Sequence, residues 1–249
     1  GDLLALKDLN KFDQLHYHGV QSVREAIKLL KIKRNNRVLE IGAGWGGPSR
    51  VIAAETSAQV VALELQKDFH EVGLNLTGMC GLSSKVSHIL GDFLEAKFKA
   101  SEYDFVVSWL ALYHIPQRVK YSLKIHEILS KNGMLYVEDL IKGKNFLNCG
   151  FAMLEKELFA NSLVEEEQYL EILKSAGFEI IFAKNMGENW LQYTSERLDA
   201  FMNMEEKFTA VHGVSLFEDR AHFYKKIVEF FRDGWVSGLS ILAKKLTRD

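Results

Sequence analysis

From residue 37 onward, short apolar runs of period two alternate with longer runs whose apolar positions recur every three or four residues. The strand-like runs are 37–42, 59–64, 86–90, 104–109, 133–138, 178–183 and 236–246. Helical patterning fills 47–56, 67–80 and 117–130. Strand–helix alternation of this kind predicts a parallel sheet covered on both faces. Pro116 stands just ahead of Val119, Leu123, Ile125, Ile128 and Leu129, where its missing N–H costs a helix nothing. Gly133 is read as the end of that helix.

Two stretches fall outside the alternation. Residues 1–33 precede the first strand and include an amphipathic helix over about 20–30. Residues 187–233 separate the last two strands and read as helical, with Leu198, Phe201, Met202, Met204 and Phe208 among their apolar positions. A strand-to-strand connection needs only a few residues, so this stretch predicts a substructure over the ligand end of the sheet. The expected organisation is one domain over 1–249: an N-terminal lid segment (1–33), a cofactor-binding core (34–139) and a helical cap insert (187–233).

Composition narrows the class. The chain of 249 residues is 47% hydrophobic, and 31 basic side chains face 33 acidic ones for a formal charge of −2. With no long run of like charge, no nucleic-acid partner is expected. No apolar stretch reaches the roughly 18–20 residues of a membrane span. The opening residues mix charge with leucine, unlike a signal peptide. Cys80 and Cys149 make neither a disulfide framework nor a metal-ligand spacing, and a cytoplasmic location with both thiols reduced is expected. His16 and His18 form an H-x-H pair without a nearby third ligand, so no metal is expected.

The chemistry concentrates at strand ends. Val38-Leu39-Glu40-Ile41-Gly42-Ala43-Gly44-Trp45-Gly46-Gly47 carries an apolar strand into a glycine-rich turn and a helix. Such a turn brings a ligand close to bare backbone N–H groups. Gly42, Gly44 and Gly47 also satisfy G-x-G-x-x-G, which leaves a nicotinamide cofactor and a dehydrogenase open. Glu40, two residues before the first glycine, is poorly placed beside a pyrophosphate and well placed beside an ammonium group. Glu64, about 20 residues after the glycines, suits two ribose hydroxyls with either ligand, and Leu65 and Gln66 follow it. Asp92-Phe93 ends the third strand. The fourth runs into Ser108-Trp109-Leu110-Ala111-Leu112-Tyr113-His114, where His114 is the candidate general base or orienting group. In Phe12-Asp13-Gln14-Leu15-His16-Tyr17-His18-Gly19, His16 and Tyr17 are candidates to reach His114 across the pocket.

These motifs, from about residue 13 to 245, resemble class I S-adenosylmethionine-dependent methyltransferases. Within that class they are most similar to the sarcosine/dimethylglycine and phosphoethanolamine N-methyltransferase group. The resemblance implies an α/β Rossmann-like fold with a seven-stranded, mostly parallel sheet and an antiparallel last strand. It implies S-adenosyl-L-methionine as donor and S-adenosyl-L-homocysteine as product. Glu40, Gly42, Gly44 and Gly46 would hold the donor's amino-acid end and Glu64 its ribose. Leu65, Gln66, Asp92 and Phe93 would surround the adenine, and Ser108 would face the transfer site. The expected substrate is a small molecule, an amine or amino acid, and the expected assembly a monomer or homodimer. One departure stands out: Leu110 occupies the position of an acid in S-x-D-A-x-x-H, which removes an ammonium's carboxylate partner and leaves Trp109 and Tyr113 to hold it by cation–π contact. O-, S- or C-methylation of a lipid or natural product, and a non-catalytic donor-binding subunit, remain the alternatives.

Overall fold

A computed structural model describes residues 3–147, 150–160 and 162–247; Cys149 lies outside them. Seven strands form one sheet in the order β3-β2-β1-β4-β5-β7-β6. They are β1 (Arg37–Ile41), β2 (Gln59–Glu64), β3 (Val86–Leu90), β4 (Tyr103–Trp109), β5 (Leu129–Lys142), β6 (Phe178–Asn185) and β7 (Val236–Lys245). The first five run parallel, with Val38 opposite both Val60 and Phe105. β7 lies antiparallel to both of its neighbours, from Met134↔Lys244 to Lys142↔Val236 on the β5 side. The chain reverses strand order at β1/β4, the switch point at which open α/β sheets place ligands.

Both faces of the central strands are buried, which is why those strands read as near-continuous apolar runs. Leu39 and Val106 point into one core with Tyr121 and Ile125 of α5 (Arg118–Ile128). Val38 and Val107 point into the other, with Val23 and Ala26 of α2 (Val20–Leu30) and Val51 and Ile52 of α3 (Gly47–Thr56). Helix α5 stops at Ile128, earlier than predicted, because residues 129–133 extend β5. The tight left-handed backbone falls on Asn132 at φ 63°, not on Gly133.

The N-terminal segment is tied to helix α3. After α1 (Leu6–Leu9), Asp13 Oδ2 meets Arg50 Nη2 of α3 at 2.9 Å, with both side chains inaccessible to solvent. Arg50 Nη1 also donates to Gly73 O and to Thr77 Oγ1 of α4 (Lys67–Met79).

Residues 139–177, unassigned from sequence up to β6, hold α6 (Phe151–Leu158) and α7 (Glu166–Ser175). Between β6 and β7 stand α8 (Gly187–Met202), α9 (Glu205–His212) and α10 (Val214–Arg232), with α8 and α10 packed together. Trp190 of α8 is fully buried against β7, an approach that depends on Gly238, where an ideal Cβ would lie 2.1 Å from the indole. Trp190, Ile227 and Phe231 form a third core with Tyr17 and Tyr113. Among the described residues no helix is long and apolar enough to cross a membrane.

Candidate active site

The β1–α3 turn is left-handed at Gly42, Gly44 and Gly46, with φ of 74°, 55° and 75°. Gly42 and Ala43 both donate to Leu63 O at 2.9 Å, which ties the turn to the end of β2. An ideal Cβ on Gly42 would fall 2.2 Å from that of Ala111, so only glycine lets the turn pass under the β4 loop.

Two acids flank this turn. Glu64 Oε2 accepts the Gly44 N–H at 2.7 Å, and its Oε1 accepts the Gln66 N–H at 2.8 Å. Glu40 is 1% exposed and accepts the Ser49 hydroxyl at 2.5 Å. Burial pushes its carboxyl up to about 8, against the opposing pull of Ser49 and Arg50. A buried acid with no ion-pair partner among the described residues, beside glycines whose backbone is bare, fits a ligand that carries an ammonium group.

The other predicted donor contacts divide. Leu65 is 66% exposed and Gln66 is also exposed, both beside the start of α4. Asp92 is exposed and accepts the Leu94 N–H at 2.7 Å. Phe93 instead sits in the core beside Phe98. Ser108 does not open toward a ligand: it is fully buried and donates to Ile41 O at 2.8 Å, which locks β4 to β1.

Past β4, a pocket of about 260 Å³ lies between the loop that follows the strand and helices α8 and α10. Tyr17, Tyr113, His114, Thr194, Arg197, Arg220 and Tyr224 supply its polar lining, with Leu15 and Leu110 among its apolar walls. His114 Nδ1 lies 2.8 Å from Phe159 O. With Nδ1 donating there, Nε2 keeps a free lone pair. Desolvation holds the imidazole below its ordinary value, with Phe159 O opposing. His114 is therefore neutral near pH 7, as a base must be.

The structure brings Tyr17 and His114 to one pocket and sets His16 apart. His16 is 3% exposed, with its nitrogens 3.0 Å from Tyr17 O and 3.1 Å from Gln14 Oε1 and its ring beside Trp109. Burial lowers it to about 4. Trp109 is likewise withdrawn: its indole donates to Ser22 Oγ, which donates to Glu138. Tyr17 and Tyr224 take the place expected of Trp109 beside Tyr113.

Behind the loop, Asp139 Oδ1 accepts the Tyr113 N–H at 3.1 Å, and Tyr169 OH donates to Oδ2 at 3.0 Å. Burial raises this carboxyl to about 6, while Arg118 opposes the shift. Arg118 Nη1 is 3.9 Å from Asp139, and its Nε donates to Ser162 O at 2.9 Å. Asp139, Arg118, Arg197, Arg220 and Tyr224 escaped the sequence reading. The one signal for the cap residues was an arginine four positions before an aromatic, twice, as Arg197–Phe201 and Arg220–Tyr224.

Sheet order, antiparallel β7 and a glycine turn between two strand-end acids define the class of fold: the Rossmann-like fold of class I methyltransferases. The chain belongs to the mycolic acid cyclopropane synthetase family, whose pattern matches residues 10–240. Phosphoethanolamine N-methyltransferase 3 of Arabidopsis thaliana is 22% identical over 201 residues, covering 81% of this chain and 40% of that protein. Sterol 24-C-methyltransferase of Neurospora crassa is 25% identical over 203 residues, covering 73% and 54%. The fold superposes on phosphoethanolamine N-methyltransferase 2 of Haemonchus contortus, solved with phosphomonomethylethanolamine and S-adenosylhomocysteine. That match has a TM-score of 0.87 at 22% identity and covers 94% of this chain and 55% of the other. The chain thus spans about half the length of these relatives, or less.

Proposed function

We propose that this chain transfers a methyl group from S-adenosylmethionine to the nitrogen of a small amine or amino acid. The observation that carries the reading is the pocket beyond β4: about 260 Å³, with Tyr17, Tyr113 and Tyr224 around His114. Tyrosine faces attract an ammonium group, which answers the loss of an acid at Leu110. The volume is below the usual range for drug-sized ligands, which favours a small acceptor.

When bound, S-adenosylmethionine supplies an electrophilic sulfonium methyl. Glu40, Gly42, Gly44, Gly46 and Glu64 are the residues placed to hold it, with Leu65, Gln66 and Asp92 at the edge. His114 Nε2 accepts the proton that an ammonium must lose before its lone pair can attack. Asp139 positions this group indirectly, through the Tyr113 backbone. Helices α8 and α10 limit how the acceptor can lie.

Methylation of an apolar lipid is the second reading, favoured by the sterol relatives and by the Phe- and Met-rich insert. Its aromatic residues, however, face one another: Phe201 lies 5.1 Å from Phe208 and 5.0 Å from Phe217. Met204 is 49% exposed.

Methyl transfer from labelled donor to amines, amino acids, phosphobases, sterols and phenols tests the reading. Turnover of a nitrogen acceptor, lowered about 100-fold or more by His114→Ala with product affinity unchanged, is the expected result. Turnover confined to sterols or phenols would overturn it.

A further inference from the structure

We infer that the outer edge of β3 is the docking surface for a second copy of this chain, whose own β3 adds to it antiparallel about a two-fold axis at His88. β3 pairs with β2 on one side, and among the described residues no strand pairs with the other. Lys85 O accepts the Val60 N–H, and Gly91 N–H donates to Glu64 O. Backbone groups alternate in direction along a strand. Ser87 and Ile89 therefore also face β2, while the N–H and C=O of His88 and Leu90 face outward with Val86 O. Val86 N–H is spent on Leu82 O. The two edges of the sheet differ. β6 carries Glu179 and Lys184 and shifts register between Ile180 and Phe182, devices that keep an edge from pairing. Val86-Ser87-His88-Ile89-Leu90 has no acidic or strongly basic side chain and an unbroken register with β2. Ser87, Ile89 and Leu90 are exposed.

The strand's own ends point to a second copy as the occupant. Lys85 stands just before β3 and Asp92 just beyond it. A parallel copy would set like charges together; an antiparallel one sets each lysine beside the other copy's aspartate. The backbone fixes the register, because only 86, 88 and 90 present outward groups and must pair among themselves. Centred on His88, Val86 lies opposite Leu90 and Ser87 opposite Ile89. His88 N–H then donates to the second copy's His88 O, and Leu90 N–H to its Val86 O, each bond occurring twice by symmetry. Leu74 of α4 adds an exposed apolar flank, lying between His70 and Thr77, which both meet His88. Paired strands stand about 4.8 Å apart. With α4 packed over β2 and β3, the two α4 helices come to about 8–10 Å, a normal packing distance. The pairing also sets the second copy's Lys85 beside Asp92, at the edge of the proposed donor site.

Sedimentation velocity of the whole chain over a series of micromolar concentrations tests this. The wild type should show a reversible monomer–dimer equilibrium. Ser87→Lys with Ile89→Lys sets lysine opposite lysine at both symmetry-related contacts and should weaken the dimer about tenfold or more. Ser87→Lys with Ile89→Glu sets lysine opposite glutamate in this register alone and should restore it. The two double variants differ only at 89, and circular dichroism checks that both are folded, so a loss confined to the first is not a loss of fold. A wild type that stays monomeric overturns the inference, as does a dimer untouched by the paired lysines. Association no tighter with Ile89→Glu than with Ile89→Lys overturns the antiparallel register, and the docking surface with it.

Discussion

Glu40 and His114 illustrate how one physical term, desolvation, shifts two side chains in opposite directions. Burial raises Glu40 from an ordinary 4.5 to about 8. Between those values the folded chain keeps a proton that the unfolded chain has released, so stability falls as pH rises through that window and levels off above it. Urea unfolding at pH 6.5 and pH 8.5 should show the wild type weaker at the higher pH, and Glu40→Gln should narrow the gap. An unchanged gap would mean that Glu40 does not hold the proton. For His114, desolvation acts on the opposite charge and lowers the pKa, so the imidazole takes up its proton only at acid pH. The acid limb of kcat/KM should fall below the ordinary imidazole value of about 6.5 and should vanish in His114→Ala. A limb above that value would assign the proton transfer to another group.

At the scale of elements, the segment before α2 forms one wall of the pocket, through Leu15 and Tyr17. Its Asp13–Arg50 pair is sealed from solvent, and Leu15 lies 3.1 Å from where a Cβ on Gly44 would stand. Removing one partner leaves an uncompensated buried charge, so Asp13→Ala should cost about 3–5 kcal/mol in chemical unfolding. Replacing both partners with apolar residues, Asp13→Leu with Arg50→Met, should recover much of that loss. Equal losses in the single and double variants would show that the charge is not what costs stability. The loop after β4 depends on its neighbours in the same way: Asp139 holds the Tyr113 N–H, and Phe159 O at the end of α6 orients His114. Three elements distant in sequence thus set one imidazole.

For the whole molecule, the sheet order brings the carboxyl ends of β1, β2 and β4 together, with the cap of α8 and α10 beyond β4. Donor binding at this junction should stabilise the fold as a unit. S-adenosylhomocysteine at about 100 times its Kd adds about 2.7 kcal/mol, or about 5–10 °C in Tm for a chain of this size. NAD at the same concentration should add nothing, and a larger shift with NAD would return the glycine turn to the dehydrogenase reading. The strands, the glycine turn with its flanking acids and the helical nature of the insert were legible in the sequence, because periodicity, glycine demands and strand-end placement are local properties. What lay between 139 and 177 was not: α6 and α7 are short, and their apolar faces acquire meaning only against α5, α10 and the sheet. Local pattern likewise could not tell that His16 and Trp109 turn inward, that Ser108 serves the Ile41 carbonyl, or that Arg197 and Arg220 share a cavity. Which way a side chain faces and whom it meets are settled by packing between distant segments. The sequence by itself therefore determined the class of fold and the glycine turn with its flanking acids, while the tertiary structure alone decided the composition of the pocket beyond β4, since burial and pairing are properties of the folded chain.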